Sequence, residues 1–152
     1  MRISFTGTRE GMSVKQMEAF EKFLKEHKVT HVSHGDAIGA DAEAHAVARN
    51  LGLKLSKRPC NVRSQRAFTM GGAVVAAPEE PLKRNRKLVD DGAMLVACPK
   101  EFEEVIRSGT WATVRYAVER GKPVYIIWPD GYTLALNHLT ISSVTTISRK
   151  VA

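Results

Sequence analysis

Short apolar runs alternate with amphipathic stretches along most of the chain. The first run, residues 3–6, is followed by a stretch whose large apolar side chains recur at helical spacing, namely Met17, Phe20, Phe23 and Leu24. Such alternation of strand-like and helix-like periods is the pattern of βαβ units. We therefore predict an α/β protein with a Rossmann-like open parallel sheet flanked by helices.

Cap and turn residues place the predicted elements. Ser13 and Gln16 predict a capping box at the start of the first helix, Gly52 predicts the end of the second, and Pro81 opens the third. Strands are predicted at residues 3–6, 29–34, 53–57, 93–98 and 124–128, and the second and fourth helices at 42–51 and 111–119. Residues 60–80 predict a long loop. The tail, residues 133–152, predicts a short β extension of a single domain that spans residues 1–152.

Composition narrows the class of protein. Hydrophobic residues make up 43% of the chain and charged residues 26%, which is ordinary for a globular protein. No apolar run reaches the roughly 18 residues of a membrane span, and the N-terminus resembles a strand rather than a signal peptide, so we expect a cytoplasmic protein without membrane contact. Cys60 and Cys98 lie far apart, which favours two buried thiols. His31 and His34 fall on opposite faces of one predicted strand, so we expect no shared metal site, and no cofactor is predicted.

The chain is basic. It has 23 Lys and Arg against 16 Asp and Glu, which gives a formal net charge of +7. An excess of this kind favours anionic partners such as nucleotides or nucleic acid. A solvated basic surface explains the charge equally well, so charge alone does not assign a function.

Three glycine-containing loops each follow a predicted strand and precede a predicted helix. They are Gly7-Thr8-Arg9, residues 35–41 (Gly-Asp-Ala-Ile-Gly-Ala-Asp) and Ser108-Gly109-Thr110-Trp111. Ligands of open parallel sheets bind beyond the carboxyl ends of the strands, where helix N-termini offer free N–H groups to phosphate. Glycine lets the backbone approach such an anion closely, although α/β turns also need glycine for steric reasons. Three such loops at equivalent positions predict a shared phosphate site.

The sequence also resembles a known group over about residues 1–130. The matching segments are Gly7-Thr8-Arg9, residues 34–41, Arg84-Asn85, and residues 108–117 followed by Gly-Lys-Pro-Val at 121–124. In this order and spacing they resemble the SLOG superfamily, named for the Smf/DprA and LOG proteins, and most closely its stand-alone YspA-like branch. The resemblance implies a Rossmann-like fold, a homodimer and binding of nucleotide-type molecules. Some members of the superfamily hydrolyse nucleoside monophosphates at the N-glycosidic bond, some bind single-stranded DNA, and some sense cyclic or ADP-ribose-type signals.

One departure from the family bears on catalysis. The phosphoribohydrolase relatives carry an acidic residue in a Gly-Gly-x-Gly-Thr-x-x-Glu motif, and the corresponding positions here are Ala112 and Thr113. An oxocarbenium-like transition state needs a nearby carboxylate, which neither residue supplies. Whether the protein is an enzyme is therefore left open, with Asp36, Asp41 and Glu101 as candidate replacements for the missing acid.

The candidate ligand-binding residues come from the loops and from the resemblance. Arg9 and Arg84 are the cations expected on phosphate, because a guanidinium binds it bidentately. The complete predicted set is Gly7, Thr8, Arg9, Gly35, Asp36, Gly39, Asp41, Arg84, Asn85, Ser108, Gly109, Thr110, Trp111 and Thr113. Trp111 suits a base stack or a packed core position. The basic cluster Lys83, Arg84, Arg86 and Lys87 suits a nucleic-acid backbone or a solvated helix face.

These observations leave three functional hypotheses. The first is binding of a nucleotide or nucleotide-derived phosphate ligand, as a sensor or sequestering module. The second is a nucleoside 5'-monophosphate N-glycosidase that uses a relocated carboxylate. The third is single-stranded DNA binding in the manner of DprA, against which stands an aromatic content of only 7%.

Overall fold

A seven-stranded sheet forms the centre of the fold, with strands in the order β4-β3-β2-β1-β5-β6-β7. The computed structural model describes residues 1–72, 74–137 and 146–149. The strands are β1 Arg2–Gly7, β2 His31–His34, β3 Lys54–Lys57, β4 Val74–Val75, β5 Met94–Cys98, β6 Val124–Ile127 and β7 Thr133–Leu136. Strands β1 to β6 pair in parallel, and β7 pairs antiparallel with β6. The predicted α/β class with its short β extension is confirmed.

Helices cover both faces of the sheet. They are α1 Val14–Glu26, α2 Ala40–Asn50, α3 Pro81–Asp91 and α4 Gly109–Glu119. In β5, Met94, Val96 and Cys98 pack with α1 and α2, whereas Leu95 and Ala97 pack with α3 and α4. Alternate side chains of a strand point to opposite faces, so a central strand that is buried on both sides reads as a continuous apolar run. Among the described residues, no helix is long and apolar enough to span a bilayer.

The predicted capping box fixes α1 against the sheet. The Ser13 hydroxyl accepts from the Gln16 amide and the Gln16 side chain accepts from the Ser13 amide, each at 3.0 Å. The buried Gln16 side chain also donates to the carbonyls of Pro99 and Ile127 at 2.7 and 2.9 Å. One N-terminal cap therefore also ties the helix to the ends of β5 and β6.

Several predicted boundaries differ from those observed. Helix α2 begins at Ala40 instead of residue 42, because Gly39, with φ +97°, turns the chain and lets the Ala40 amide donate to the Thr8 carbonyl. Helix α4 begins at Gly109 instead of residue 111. The predicted 60–80 loop contains a single 3-10 turn and the short edge strand β4. Of the tail, residues 138–145 and 150–152 lie outside the described residues.

The predicted faces of β2 are confirmed. The imidazole of His31 contacts Ser56 on the side of the sheet that carries Asp91 of α3, whereas His34 contacts His45 of α2. The two cysteine thiols, Cys60 and Cys98, are both buried and free, as predicted.

The order of the strands creates a crevice beside β1. From β1 the chain runs outward through β2 and β3 to β4, and it then returns to place β5 on the other side of β1. The connections after β1 and β5 therefore leave the sheet in opposite directions. A switch point of this kind is where open α/β sheets bind their ligands.

Candidate functional site

A cleft of about 550 Å³ lies at this switch point. Its volume falls within the roughly 300–1,000 Å³ of small-molecule sites. It collects ten residues of the predicted set: Gly7, Thr8, Arg9, Gly35, Asp41, Arg84, Asn85, Ser108, Gly109 and Thr110. The three predicted loops thus meet at one place, although they are separated by up to 100 positions in sequence.

Two of the glycines leave no room for a side chain. A Cβ on Gly7 would lie 2.5 Å from the Ala40 Cβ, and one on Gly35 would lie 2.5 Å from Nη1 of Arg84. Gly109 differs, because a Cβ there would meet no atom within 4 Å apart from its chain neighbours and the backbone of its own helix. Gly7 and Gly35 therefore bring α2 and the Arg84 guanidinium close to the strand ends, while Gly109 faces open space.

The Arg84 side chain lines the cleft and is also hydrogen-bonded to neighbouring residues of the protein. Its side chain is buried, and Nη1 donates to the carbonyls of Gly35 and Arg58 at 2.7 and 3.0 Å. Its Nε donates to Oδ1 of Asn85 at 2.7 Å. Among the described residues Nη2 has no such partner, which leaves one face of the guanidinium for an anion.

Asp41 is a buried carboxyl group in the wall of the cleft. Its Oδ2 accepts from the amides of Gly35 and Ala37 at 3.0 and 3.1 Å. Burial raises the pKa of Asp41 to about 6, against the lowering effect of these N–H groups and of Arg84. The group can therefore exchange a proton near neutral pH.

The N-terminus of α4 opens into the cleft. The Ser108 hydroxyl accepts from the Trp111 amide at 3.3 Å, and the Ser108 carbonyl accepts from the Ala112 amide at 2.9 Å. The amides of Gly109 and Thr110 have no partner within the described ranges. Two free N–H groups at the positive end of a helix dipole form an anion site.

Charged side chains of both signs surround the opening. Arg9 and Arg107 line it, and Lys100 pairs with Glu10 across it at 2.8 Å. Glu101 also lines the cleft and accepts from Nε1 of Trp111 at 3.0 Å. An exposed ion pair such as Lys100–Glu10 adds little stability, so its charged groups remain available to a ligand.

Four predicted ligand residues lie outside the cleft lining. Trp111 is fully buried and packs on Trp128 with ring centroids 5.7 Å apart, so it has no face for a base. Thr113 is buried and donates to the Gly109 carbonyl at 2.8 Å. Gly39 packs against the carbonyls of Thr8 and Arg9. Asp36, also a catalytic candidate, is fully buried below the 66–69 segment. All four make contacts within the fold, away from the cleft lining.

Asp36 anchors the segment that follows the 3-10 turn. Its Oδ1 accepts from the amide and hydroxyl of Thr69 at 3.0 and 2.8 Å, and its Oδ2 lies 3.3 Å from Nη2 of Arg66. Although burial acts to raise it, the hydrogen bonds from Thr69 and the charge of Lys57 hold the pKa of Asp36 below its usual value.

A buried histidine pair lies behind this anchor. The Asp36 amide donates to Nδ1 of His34 at 2.9 Å, so the His34 proton is on Nε2. This nitrogen lies 2.9 Å from Nδ1 of His45, whose Nε2 in turn lies 2.8 Å from the Met70 carbonyl. Both rings must be neutral for this chain of bonds to form. Burial and the neighbouring His45 lower the pKa of His34 to about 3.

The basic cluster on α3 is largely paired. Lys83 and Lys87 both approach Glu79, at 3.7 and 2.6 Å, and Arg86 lies over the Tyr116 ring. Arg84 points into the fold. The cluster therefore fits a solvated helix face better than a track for nucleic acid.

Sequence reasoning missed several cleft residues. They include Glu10 after β1, and Lys100, Val105 and Arg107 in the connection after β5. The signal for the last three is positional: they follow the strand that pairs with β1, and the sequence alone does not reveal that pairing. Ala112, one of the two positions that the resemblance aligns with an acidic residue, lines a smaller groove between α3 and α4 beside the cleft.

Comparisons with known proteins agree on the fold. No protein-family model matches the sequence, and no curated protein matches it. Among solved structures, TM1055, a structural genomics target, is similar with a TM-score of 0.59 and 15% identity, over 81% of this chain and 71% of that one. The molybdenum cofactor binding protein from the phototrophic bacterium Rippkaea orientalis is similar with a TM-score of 0.65 and 15% identity, over 84% and 76%. At this identity the likeness shows a Rossmann-like fold, and the superfamily assignment stays a prediction.

Proposed function

We propose that the cleft binds a nucleotide or nucleotide-derived phosphate ligand and that the protein acts as a sensor or sequestering module for it. The observation that carries the proposal is the convergence of the Gly7, Gly35 and Gly109 loops on one cleft at the switch point of the sheet. Free amides at the start of α4 and the guanidinium of Arg84 supply donors for a phosphoryl group. One structural neighbour, named for binding a cofactor, is consistent with this use of the fold.

Isothermal titration against matched ligands tests the proposal. We expect AMP, ADP-ribose and a cyclic dinucleotide to compete for one site, and adenosine, which lacks a phosphate, to bind far more weakly. The reason is that most of the fixed donors in the cleft are suited to an anion. Absence of binding across the whole phosphate panel would remove the proposal.

A variant that fills the cleft locates the site. Gly109→Leu places a side chain where only the chain neighbours and the backbone of α4 lie within 4 Å of the new Cβ, so the protein should fold while the cleft loses volume. We expect ligand affinity to fall at least about tenfold with little change in the unfolding midpoint. Unchanged affinity would place the ligand elsewhere.

A second candidate, N-glycosidase activity, is favoured by the carboxyl groups of the cleft. Asp41 has a pKa raised to about 6, and Glu101 is oriented by the Trp111 indole. A carboxyl group with a pKa near 6 is partly protonated just below neutral pH and can act as a general acid, and a second carboxyl group can activate water. Chromatography of incubations with AMP and dAMP tests this candidate. Release of free adenine by the parent protein, and no release by Asp41→Asn, would support it. If neither substrate is hydrolysed, the N-glycosidase candidate is removed and only the binding function is left.

A further inference from the structure

Phe68 is an exposed aromatic residue in an unfavourable backbone conformation. Its φ is +52°, in the left-handed region, and 44% of its surface is exposed. A bulky residue rarely adopts positive φ, and it does so only where the surrounding structure imposes it. The ring is only partly buried, so core packing alone does not explain this conformation.

Buried polar groups impose this conformation on both sides of the ring. Asp36, itself at φ +53°, accepts from the Ala67 amide through its carbonyl at 2.7 Å and from Thr69 through its carboxylate. The buried Lys57 ammonium donates to the Thr69 carbonyl. His45 then bonds the Met70 carbonyl at 2.8 Å. A buried carboxylate, ammonium and imidazole thus fix the segment that carries the partly exposed Phe68 ring.

Two guanidinium groups flank the ring. Cζ of Arg66 lies 4.2 Å from the ring centroid and Cζ of Arg63 lies 5.0 Å from it. Both guanidinium groups lie over the ring, and aromatic rings and guanidinium planes alike stack on planar bases, while the guanidinium charge attracts the phosphates that accompany them.

The segment that carries the ring contacts residues at the rim of the cleft. Gln65, three residues earlier, accepts from Nη2 of Arg9 at 2.9 Å and bonds the Ile38 amide through its carbonyl at 3.1 Å. Arg66 forms a β-bridge with Ala37, and Ala37 and Arg9 both line the cleft. The segment that carries Phe68 is therefore attached to the wall of the cleft.

We propose that Phe68, with Arg63 and Arg66, is a stacking platform for the aromatic base of a ligand whose phosphate occupies the cleft. This inference rests on the proposed function and narrows it to ligands that carry a base, in preference to sugar phosphates. The same chemistry fits a free nucleotide or one base of a single strand, and the experiment below separates these sources.

The test compares matched ligands and matched variants. AMP and ribose 5-phosphate share the phosphate and the sugar, but only AMP has a base. We expect Phe68→Ala to weaken AMP binding at least about fivefold, as loss of one base stack does, and to leave ribose 5-phosphate unchanged. Phe68→Tyr, which keeps the ring, should retain the affinity of the parent protein for AMP.

Tyr132 provides a control, because it is also an exposed aromatic ring next to a guanidinium group but lies elsewhere on the protein. It is 43% exposed and lies under the Arg149 guanidinium at 3.9 Å, in the hairpin at the opposite edge of the sheet. Tyr132→Ala should leave AMP affinity unchanged. Both alanine variants should keep the unfolding midpoint of the parent protein, since both rings are exposed.

The outcomes separate the two proposals. If AMP and ribose 5-phosphate bind but Phe68→Ala changes neither affinity, or lowers both equally, the platform is refuted while the phosphate site stands. If neither ligand binds, the proposed function fails and the platform fails with it. A short deoxyoligonucleotide that binds more tightly than AMP and loses affinity in Phe68→Ala assigns the platform to a single strand; equal affinities assign it to the free nucleotide.

Discussion

The two predicted phosphate cations, Arg84 and Arg9, differ in how much of their side chain the fold already uses. Arg84→Ala removes bonds to two buried carbonyls, so we expect the free energy of unfolding to fall by about 1–3 kcal/mol along with ligand affinity. Within the described part of the chain the Arg9 side chain has one hydrogen-bond partner, Gln65 at the surface, and Arg9→Ala should leave stability within about 0.5 kcal/mol.

Urea denaturation and titration calorimetry of both variants check this difference. The Arg9 variant should lose affinity for phosphate ligands while it retains stability. If instead Arg84→Ala were as stable as the parent protein, the two carbonyl contacts would contribute nothing and the wall of the cleft would be less rigid than described.

The His34 imidazole makes stability depend on pH. Its pKa in the folded state is about 3, below the ordinary value of 6.5, so the unfolded chain binds a proton more readily. The contribution of neutral His34 is therefore complete above pH 6.5 and declines as pH falls toward 3, by up to about 1.4 kcal/mol per pH unit. Asp41 acts in the opposite direction, because its raised pKa favours the folded state at low pH.

A comparison of variants isolates the histidine from Asp41. We expect the stability advantage of the parent protein over His34→Gln, measured by urea denaturation, to shrink steadily between pH 7 and pH 4. Both proteins retain Asp41, so its contribution cancels in the difference. A constant difference over this range would mean that folding does not lower the pKa of His34.

At the scale of elements, two N-cap serines make it possible to distinguish the effect of a helix cap on stability from its effect on ligand binding. Ser13 caps α1 and Ser108 caps α4, but only Ser108 lines the cleft. We expect Ser13→Ala and Ser108→Ala each to lower the free energy of unfolding by about 0.5–2 kcal/mol. Only Ser108→Ala should also weaken phosphate binding, and an equal loss of affinity in Ser13→Ala would indicate a general effect of destabilisation.

The elements were predictable where local signals are strong. The Ser13–Gln16 box, Pro81 and the apolar run ending at Cys98 placed α1, α3 and β5 correctly, because capping, proline geometry and burial on both faces act over a few residues. The start of α2 was misplaced, since it depends on a contact between Gly39 and the distant Thr8 loop. For the same reason the sequence did not predict β4: Val74–Val75 form a strand only through their pairing with β3.

The candidate site shows the same limit. Glycine loops and a family pattern predicted Gly35, Arg84 and Ser108, which share the cleft. Trp111 was ambiguous, because an aromatic residue at a helix start suits a ligand or a core equally, and only the packed tertiary structure decides. Lys100 and Arg107 follow from the order of the strands, which the sequence does not encode locally.

At the scale of the whole molecule, ligand binding should be visible as a gain in stability. A ligand at 100 times its Kd stabilises the folded state by about 2.7 kcal/mol. For a chain of 152 residues this corresponds to a rise in Tm of roughly 5–10 °C. Thermal unfolding with and without AMP measures it, and Gly109→Leu should show a much smaller rise.

The insertion of β5 beside β1 has a consequence during synthesis. The residues that line the cleft are as far apart in sequence as Thr6 and Thr110. A nascent chain therefore has no complete site until α4 begins to leave the ribosome. A ligand in the cell would therefore stabilise only the complete sheet, and it could not stabilise the first half of the sheet while the chain is being synthesised. Truncated products that end before Pro81 should be unable to capture the ligand at all.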